Sequence, residues 1–298
     1  MIDLHCHVLP GIDDGARSLE EAVEMCRMAV ASGCEALVAT PHQRKGDWWN
    51  CDRAALAALR QQLQAAVGPR PRILGGGEIR VDPRLLAEIL ALPSPEAHDA
   101  PAPDSSNSSD SSDSAAAAVA DAAPGPLSLA GSRYLLLEFG PEGGIEPAAE
   151  LVHELAVAGW RPVIAHPELI HWMAAAPASV AQLVSLGALA QVTAMSLTGD
   201  FGRRAQADAS RLVEMGLVHF VASDAHDLRR RPPGLRRAWE TIAARWGEEA
   251  AQELLADNPG AVVAGQPLPS PAGAASPRTL AAAAPPSGTP EPALRITR

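Results

Sequence analysis

Residues 1–15 read MIDLHCHVLPGIDDG, a short apolar strand pattern that runs directly into an acidic turn. Residues two apart in a β-strand share a face, so His5 and His7 are expected to point to the same side. Two such imidazoles at a strand end, with carboxylates close behind, form half of a metal site. A pair of surface or core histidines explains these residues equally well. Because short motifs often arise by accident, the rest of the chain has to decide.

Length and composition predict a globular chain. It has 298 residues, 47% of them hydrophobic and 20% charged, which is enough for one large α/β domain or two small ones. No apolar run reaches the ~18 residues of a membrane span, and the N-terminal residues lack the pattern of a secretion signal. The four cysteines have no C-x-x-C spacing. We therefore expect a reduced cytoplasmic protein with no direct membrane insertion.

The net charge of −11 is partly concentrated in one segment. Six acidic residues and no lysine or arginine fall in 94–131, which is rich in Pro, Ser, Asp and Ala. Such a segment buries too little apolar surface to offset the cost of ordering it. We predict a domain over 1–265 interrupted by a disordered insertion at 94–131, and a flexible tail over 266–298. Nothing resembles the basic face of a nucleic-acid-binding protein.

Short apolar segments alternate with helical patterns along the domain. Strands are predicted at 2–8, 36–39, 72–78, 134–137, 163–165, 189–192 and 219–222. Helices are predicted at 19–32, 52–67, 83–92, 148–159, 178–186, 201–215, 235–246 and 248–255. A capping box that starts at Ser18 precedes the first helix, and this helix stops before Gly33. This alternation predicts an α/β fold with parallel strands and right-handed crossovers.

Polar residues recur at or just after the ends of these strands. They are His5, His7, His42, Glu78, Glu138, His166, Asp224 and His226, with Asp14 in the first loop. In a (β/α) barrel these positions converge on one mouth. An open sheet would leave the first and last strands far apart, and only closure would bring His5 near Asp224. We therefore predict a distorted, closed, seven-stranded (β/α)7 TIM-like barrel.

The residue types indicate the chemistry. Five imidazoles and four carboxylates exceed the needs of one tetrahedral ion, and a nitrogen and oxygen set without thiolate suits Mn, Fe or Zn. Two or three such ions can hold a bridging hydroxide and clamp a phosphoryl group. The alternative, independent surface polar groups, requires polar residues to recur at strand ends by accident. A metal-dependent hydrolase is the favoured interpretation.

At this point the sequence resembles a known family. The motifs are HCHVLPGIDDG (5–15), ATPH (39–42), GGEIR (76–80), LLLEFG (135–140), IAHPE (164–168) and SDAH (223–226), in that order. They resemble the PHP superfamily of metal-dependent phosphoesterases, and most closely its bacterial protein-tyrosine phosphatases of capsule and exopolysaccharide synthesis loci. The resemblance implies the PHP fold, a trinuclear site with manganese as the usual metal, and the phosphotyrosine tail of a tyrosine autokinase as substrate.

The resemblance also implies which residues bind each ion. His5, His7, Glu78 and Asp224 would hold one ion, and Glu78, Glu138 and His166 a second. Asp14, His42 and His226 would hold the third. Asp14, His42 and Arg231 are the predicted catalytic residues, with Arg231 clamping the phosphate. The second family arginine is replaced by Leu169, and Arg44, Lys45, Arg203 or Arg204 are the candidates to compensate.

Covalent cysteine catalysis is excluded by spacing, because no cysteine is followed six positions later by arginine. Cys6 is therefore expected in the core, and direct attack of a metal-bridging hydroxide on phosphorus is the predicted mechanism. Trp48 and Trp49 either flank the phosphotyrosine ring or pack the loop or a partner. Alternative functions are another PHP phosphoesterase, such as a histidinol-phosphate phosphatase or a nuclease, and a non-catalytic metal-binding regulator. An oligomer is possible.

Overall fold

The computed structural model describes residues 1–92 and 125–269, in which nine strands form two parallel sheets. The first sheet contains, in spatial order, β1 (Ile2–Cys6), β2 (Ala36–Ala39) and β4 (Arg72–Gly75). The second contains β3 (His42–Gln43), β5 (Glu78–Arg80), β6 (Tyr134–Glu138), β7 (Arg161–Ala165), β8 (Leu189–Thr193) and β9 (Phe220–Ala222). Because every pairing is parallel, the carboxyl ends of neighbouring strands lie at one edge.

The observed strands differ from the predicted ones at two places between β2 and β5. A short strand, β3, follows β2, and the predicted strand 72–78 is divided into β4 and β5, which belong to different sheets. Gly76 and Gly77 make this division possible, because the chain passes close to its neighbours there. A Cβ atom on Gly76 would lie 2.8 Å from Val38 Cγ1, and one on Gly77 would lie 2.1 Å from Gln43 Oε1.

The predicted closed seven-stranded barrel is not confirmed, because the described strands form two separate ladders rather than one closed sheet. The first and last strands nevertheless lie side by side. The backbone N–H of Asp224 donates to His5 O (2.8 Å), and the N–H of His7 donates to Ala225 O (2.9 Å). This pairing places the end of β1 next to the residues that follow β9.

Helices cover the outer faces of the strands. Their bounds are α1 (Leu19–Ala31), α2 (Arg53–Val67), α3 (Leu85–Leu90), α4 (Ile145–Val157), α5 (His171–Ala175), α6 (Pro177–Ser185), α7 (Ala194–Thr198), α8 (Arg203–Glu214), α9 (Arg236–Trp246), α10 (Glu248–Gln252) and α11 (Asn258–Val263). Ser18 caps α1 as predicted by accepting the N–H of Glu21 (3.3 Å). The predicted helix 248–255 is instead α10 followed by a π turn, Glu253–Asp257, that leads into α11.

Both faces of the sheets are buried, as is typical of parallel sheets. Strand β6 shows the alternation: Leu135 and Leu137 pack in the larger core beneath the helices, whereas Tyr134 and Leu136 pack in a second, inner core. Cys6 lies in the larger core and is fully buried, as expected. The strands therefore form a rigid frame for the polar groups at their ends.

The predicted insertion ends earlier than residue 131. Residues 125–131 are described and pack on the domain, with Leu129 fully buried and the N–H of Leu127 donating to Gln43 Oε1 (2.8 Å). The two leucines supply apolar contacts that the Pro- and Ala-rich composition of the segment did not predict. The remainder of the predicted insertion, 94–124, lies outside the described residues, as do residue 93 and residues 270–298 of the predicted tail. Within 1–92 and 125–269, no helix combines the length and apolarity needed to cross a membrane.

Candidate metal centre

The nine predicted ligand residues lie together at the carboxyl edge of the strands. Seven of them line a cavity of about 440 Å³: Asp14, His42, Glu78, Glu138, His166, Asp224 and His226. The other two, His5 and His7, are fully buried beneath it. Residues far apart in the chain thus share one polar site.

The most deeply buried part of the site is built by β1, β5 and the residue pair after β9. His5 Nε2 lies 3.2 Å from His7 Nε2 and 3.3 Å from Asp224 Oδ1. Glu78 reaches the same place, with Oε1 3.5 Å from His5 Nε2 and Oε2 3.4 Å from His7 Nε2. Two imidazole nitrogens and two carboxylates therefore face one point.

Two residues that the sequence analysis did not single out orient these imidazoles. Gln191 Oε1 lies 2.9 Å from His5 Nδ1, and Asp13 Oδ2 lies 2.8 Å from His7 Nδ1. Asp13 also accepts the backbone N–H of His42 (3.0 Å). With Nδ1 engaged, each imidazole presents Nε2 to the site, the usual arrangement behind metal-binding histidines. A polar residue in the apolar strand β8, and the second carboxylate of the DDG turn, were the available signals.

A second part of the site surrounds Glu78, Glu138 and two further imidazoles. His42 Nδ1 lies 2.6 Å from Glu78 Oε2 and 3.9 Å from Glu138 Oε2. His166 Nε2 lies 2.8 Å from Glu78 Oε1. Glu78 therefore contacts four imidazoles and is the central carboxylate of the site.

The third part lies nearest the solvent. Asp14 Oδ1 is 3.2 Å from His42 Nε2 and 3.3 Å from His226 Nε2, and the Asp14 side chain is 42% exposed. His7 also comes close enough to join this group. The three sets that could each hold an ion are His5, His7 and Asp224; His42, Glu78 and Glu138; and His7, Asp14, His42 and His226. These sets differ from those implied by the resemblance in that His7 and His42 each belong to two of them, and His166 to none.

The backbone is strained at two of these residues. His166 and Asp224 have φ values of 35° and 52°, a left-handed conformation that residues with a Cβ atom rarely adopt. His166 directly follows β7, and Asp224 lies two residues after the end of β9. The side chain of His166 points at Glu78, and that of Asp224 points at His5. Such strain clusters at functional sites, where the surrounding structure maintains it.

The carboxylates of the site raise the pKa of neighbouring imidazoles. Burial opposes a charge on His5, but the carboxylates of Asp224 and Glu78 outweigh it and raise the pKa of His5 to about 10. Burial likewise opposes a charge on His42, yet hydrogen bonds with Asp14 and Glu78 raise its pKa to about 9. Despite its burial, Glu78 has a pKa well below the usual range because the imidazoles face it. The cluster therefore attracts positive charge.

Two buried atoms of the candidate ligands have no hydrogen-bond partner among the described residues. They are Glu138 Oε2 and His166 Nδ1. Native proteins rarely leave buried polar atoms unsatisfied unless an ion, a water or a ligand completes them. Nitrogen and oxygen donors without thiolate suit Mn, Fe or Zn. The residues present therefore fit divalent metal ions.

Three cationic side chains line the cavity within the described ranges. Arg231 Nη2 contacts Asp224 Oδ2 on one side. On the other side, Lys45 Nζ lies 2.9 Å from Glu138 Oε1 and 3.0 Å from His42 Nε2. Arg80 Nη1 is 3.6 Å from the same oxygen of Glu138. Arg80 was quoted in the GGEIR motif but not predicted as a site residue.

The structure separates the four candidates for compensating Leu169. Arg44 is buried and paired with Asp82 (2.6 Å) and Glu88, so it is not free to bind phosphate. Arg203 and Arg204 are exposed on α8 and do not line the cavity. Lys45 is the candidate that does, and Leu169 itself forms part of the wall.

The two tryptophans do not line the cavity. Trp48 stacks on His42 at 5.4 Å between ring centroids, so it supports a site residue from behind. Trp49 is 54% exposed and lies beneath the Arg44 guanidinium. The apolar part of the wall is formed instead by Phe139, Pro141, Leu169, Ile170 and Phe201.

The thiols are unsuited to nucleophilic catalysis, in agreement with their spacing. All four cysteines are free and buried. Burial raises the pKa of Cys26 and of Cys34 to about 12, and that of Cys6 well above its usual range. A reactive cysteine needs a lowered pKa and access to solvent.

Comparison with known proteins identifies the family. The family model described as "Capsular polysaccharide synthesis, CpsB/CapC" matches residues 1–89 and 120–264. The tyrosine-protein phosphatase YwqE of Bacillus subtilis (strain 168) is 32% identical over 252 residues, covering 84% of this chain and 86% of that protein. The tyrosine-protein phosphatase CpsB of Streptococcus pneumoniae is 27% identical, with coverages of 89% and 99%.

A solved structure agrees with these relatives. It superimposes with a TM-score of 0.73 at 32% identity, covers 90% of this chain and 96% of that chain, and is described among YwqE from Bacillus subtilis and CpsB from Streptococcus pneumoniae as "unique metal-dependent tyrosine phosphatases". The family predicted from the ordered motifs is confirmed. The chain belongs to the CpsB/CapC family of capsular polysaccharide synthesis proteins.

Proposed function

We propose that this protein is a metal-dependent protein-tyrosine phosphatase. One observation carries the proposal: nine imidazole and carboxylate side chains meet around a cavity that also contains three cations and an apolar wall. Its relatives named tyrosine-protein phosphatases share the family and most of the chain length. Metal-dependent hydrolysis of a phosphate monoester uses metal ions, cationic clamps for the phosphate, and a place for the leaving group. The cavity has residues suited to each of these tasks.

The proposed centre contains three divalent ions, with manganese as the first candidate. His5, His7, Glu78 and Asp224 would bind one ion, Glu78, Glu138 and His166 a second, and Asp14, His42 and His226 a third. The unpaired atoms Glu138 Oε2 and His166 Nδ1 support this assignment, as does the close approach of the other imidazoles and carboxylates. When bound, the ions would activate water and neutralise phosphoryl oxygens.

The chain's own residues bind and orient the substrate. Arg231 extends from the loop after β9 to the cavity, where its guanidinium can take two phosphoryl oxygens. The aromatic ring lies against the apolar wall, which includes Phe139 and Phe201. A phenolate leaving group has a pKa of ~10 and needs less help from a proton donor than an alkoxide does. Asp14 and His42 stand at the solvent side of the cavity, where water enters.

The proposed substrate is the phosphotyrosine-containing tail of a tyrosine autokinase, so the protein would regulate polysaccharide synthesis and export. The proposed compartment is the cytoplasm, where its four free thiols remain reduced. We also propose that the two sheets act as one distorted barrel wall. The hydrogen bonds that join His5 to Asp224 and His7 to Ala225 support that architecture. So does the inner core shared by β1, β2, β6, β7 and β9.

Three phosphate esters test the proposal. The purified full chain, supplied with Mn²⁺, is assayed on p-nitrophenyl phosphate, a phosphotyrosyl peptide and histidinol phosphate. We expect hydrolysis of the first two and loss of activity with a chelator. His42→Ala and Asp224→Ala should abolish turnover, while His153→Ala, an exposed histidine on α4, should retain it. Near-ultraviolet circular dichroism verifies folding.

Three results contradict the proposal. A preference for histidinol phosphate would assign the protein to another class of PHP phosphoesterase. Full activity of folded His42→Ala or Asp224→Ala would separate the chemistry from the proposed centre. Metal binding without turnover of any of the three esters would favour the regulator.

A further inference from the structure

The cations of the cavity stand on two sides. Arg231 is held at Asp224, whereas Lys45 and Arg80 both contact Glu138 Oε1. One cation is enough to balance the charge of the Glu138 carboxylate, but two cationic side chains lie beside its Oε1 atom. They suggest a surface prepared for a second anion.

Lys45 is mounted on a short hairpin that the fold anchors firmly. The N–H of Lys45 donates to Trp48 O and the N–H of Trp48 donates to Lys45 O, at 3.1 and 2.9 Å. The preceding Arg44 is buried and ion-paired with Asp82 and Glu88. Trp48 stacks on His42. The ammonium group is thereby directed into the cavity, although the lysine side chain is 25% exposed.

Arg80 is placed by the register of β5. It lies two residues after Glu78 on this strand and so shares its face. It also pairs with Glu138 on β6, which brings the guanidinium to the Lys45 side of the cavity. Its side chain is 26% exposed, so it can reach a ligand in the opening.

The charge balance favours an anion once metal is bound. Among the described residues, the lining carboxylates are Asp14, Glu78, Glu138 and Asp224, and the lining cations are Lys45, Arg80 and Arg231. If Glu138 binds a metal ion, its charge is taken up by that ion. Lys45 and Arg80 then lose their carboxylate partner and remain beside the opening.

We propose that Lys45 and Arg80 form a second phosphate clamp opposite Arg231, and that Glu138 holds both side chains in place until it binds metal. This inference rests on the proposed phosphatase function, because it assigns the far side of the same substrate phosphate. The clamp compensates for the uncharged Leu169 in the cavity wall. Without metal, the two cations compete with it for Glu138.

The proposed clamp predicts that one substitution has opposite effects on the binding of metal and the binding of phosphate. Removing the charge of Lys45 or Arg80 takes away a competitor for Glu138, so Mn²⁺ should bind as tightly as in the wild type or more tightly. The same substitution removes a charge-assisted contact to phosphate, so phosphate should bind more weakly. A residue that only stabilises the loop would weaken both.

The test uses Lys45→Met and Arg80→Met in the full chain, with Arg161→Met as the matched control. Arg161 is an exposed arginine at the opposite, amino-terminal end of β7. Isothermal titration calorimetry measures Mn²⁺ binding to the metal-free protein and inorganic phosphate binding to the Mn²⁺-loaded protein. We expect about tenfold weaker phosphate binding in each clamp variant, corresponding to about 1.4 kcal/mol, and unchanged binding in the control. Lys45→Arg should restore most of it.

Either of two results overturns the clamp: phosphate binding like that of the wild type in both variants, or Mn²⁺ binding at least tenfold weaker in them. Neither measurement needs turnover. Failure of the phosphatase function itself is seen separately, as absence of aryl phosphate hydrolysis by the wild type. An active wild type whose clamp variants bind phosphate normally refutes the clamp alone.

Discussion

The floor and the rim of the candidate metal centre are built differently. The floor consists of His5, His7 and Glu78, all fully buried, and the rim consists of Asp14, Glu138 and His166 nearer the opening. Floor imidazoles are fixed from behind, because Gln191 and Asp13 engage their Nδ1 atoms. On the rim, Glu138 Oε2 and His166 Nδ1 have no hydrogen-bond partner within the described residues. The protein alone organises the floor, whereas bound ions would have to complete the rim.

The largest effect is expected for Glu78→Gln. Glu78 lies within 3.5 Å of imidazole nitrogens of four residues: His5, His7, His42 and His166. Loss of its charge should remove more than one metal ion per chain and lower kcat about 10³-fold or more, since metal stabilisation is worth several kcal/mol. Metal analysis of the dialysed protein and steady-state kinetics measure both. Glu146→Gln, exposed on α4, is the control, and a variant with full metal content would refute a central role.

Gln191→Leu should leave an imidazole Nδ1 of the floor without a hydrogen-bond partner, as is found at His166 on the rim. The substitution frees His5 Nδ1 without removing a proposed ligand, and loss of such a supporting contact typically weakens metal binding or activity about 10–100-fold. Metal titration, together with thermal unfolding, separates weaker binding from a less stable fold. The exposed Gln182→Leu on α6 is the matched control. Unchanged metal affinity would show that the floor does not depend on this hydrogen bond.

A smaller effect is expected for Asp14→Asn on the rim. Its carboxylate is partly exposed and meets two imidazoles, His42 and His226. We expect about tenfold lower activity that is partly recovered by raising the Mn²⁺ concentration, because a weakened rim site refills by mass action. A titration of activity against Mn²⁺ measures the recovery. If Glu78→Gln is rescued as well as Asp14→Asn, the distinction between floor and rim is wrong.

The smallest effect concerns His219, which lies outside both regions. Burial lowers its pKa to about 4, and its Nδ1 accepts the N–H of Ala190 (3.2 Å). Because the folded pKa is below the usual 6.5, the unfolded chain binds more protons between those values. The stabilisation is therefore complete above pH 6.5 and is lost as the pH falls towards 4.

Denaturant unfolding of the metal-free chain at several pH values measures this loss. His219→Asn should remove most of this pH dependence, because asparagine can accept the same N–H without titrating. His153→Asn, at an exposed position, should leave the pH dependence unchanged. Equal pH dependence in wild type and His219→Asn would exclude His219 as the titrating group, leaving the floor and rim as the source.

The sequence predicted the residues that meet at the cavity better than it predicted the strands that carry them. Eight of the nine are polar residues at or just after the end of an apolar segment, with Asp14 in the first loop, and the alternation of the segments fixes that edge of the fold. The break between β4 and β5 was missed, because the apolar pattern continues through Gly76 and Gly77 although the chain passes there into another sheet. Lys45 could not be ranked above Arg44, Arg203 and Arg204, and Arg80 was not singled out, because the sequence alone does not show which cations line the cavity.

The sequence by itself determined the family, the parallel α/β class and the set of side chains at the strand ends, because all three depend on local patterns and motif order. Tertiary structure decided which atoms meet. Residues distant in sequence meet through the hydrogen bonds of Gln191 and Asp13 and through the pairing of β1 with the chain after β9. The left-handed backbone at His166 and Asp224 directs their side chains into the site. Such contacts depend on packing and on three-dimensional electrostatics, and no local pattern encodes them.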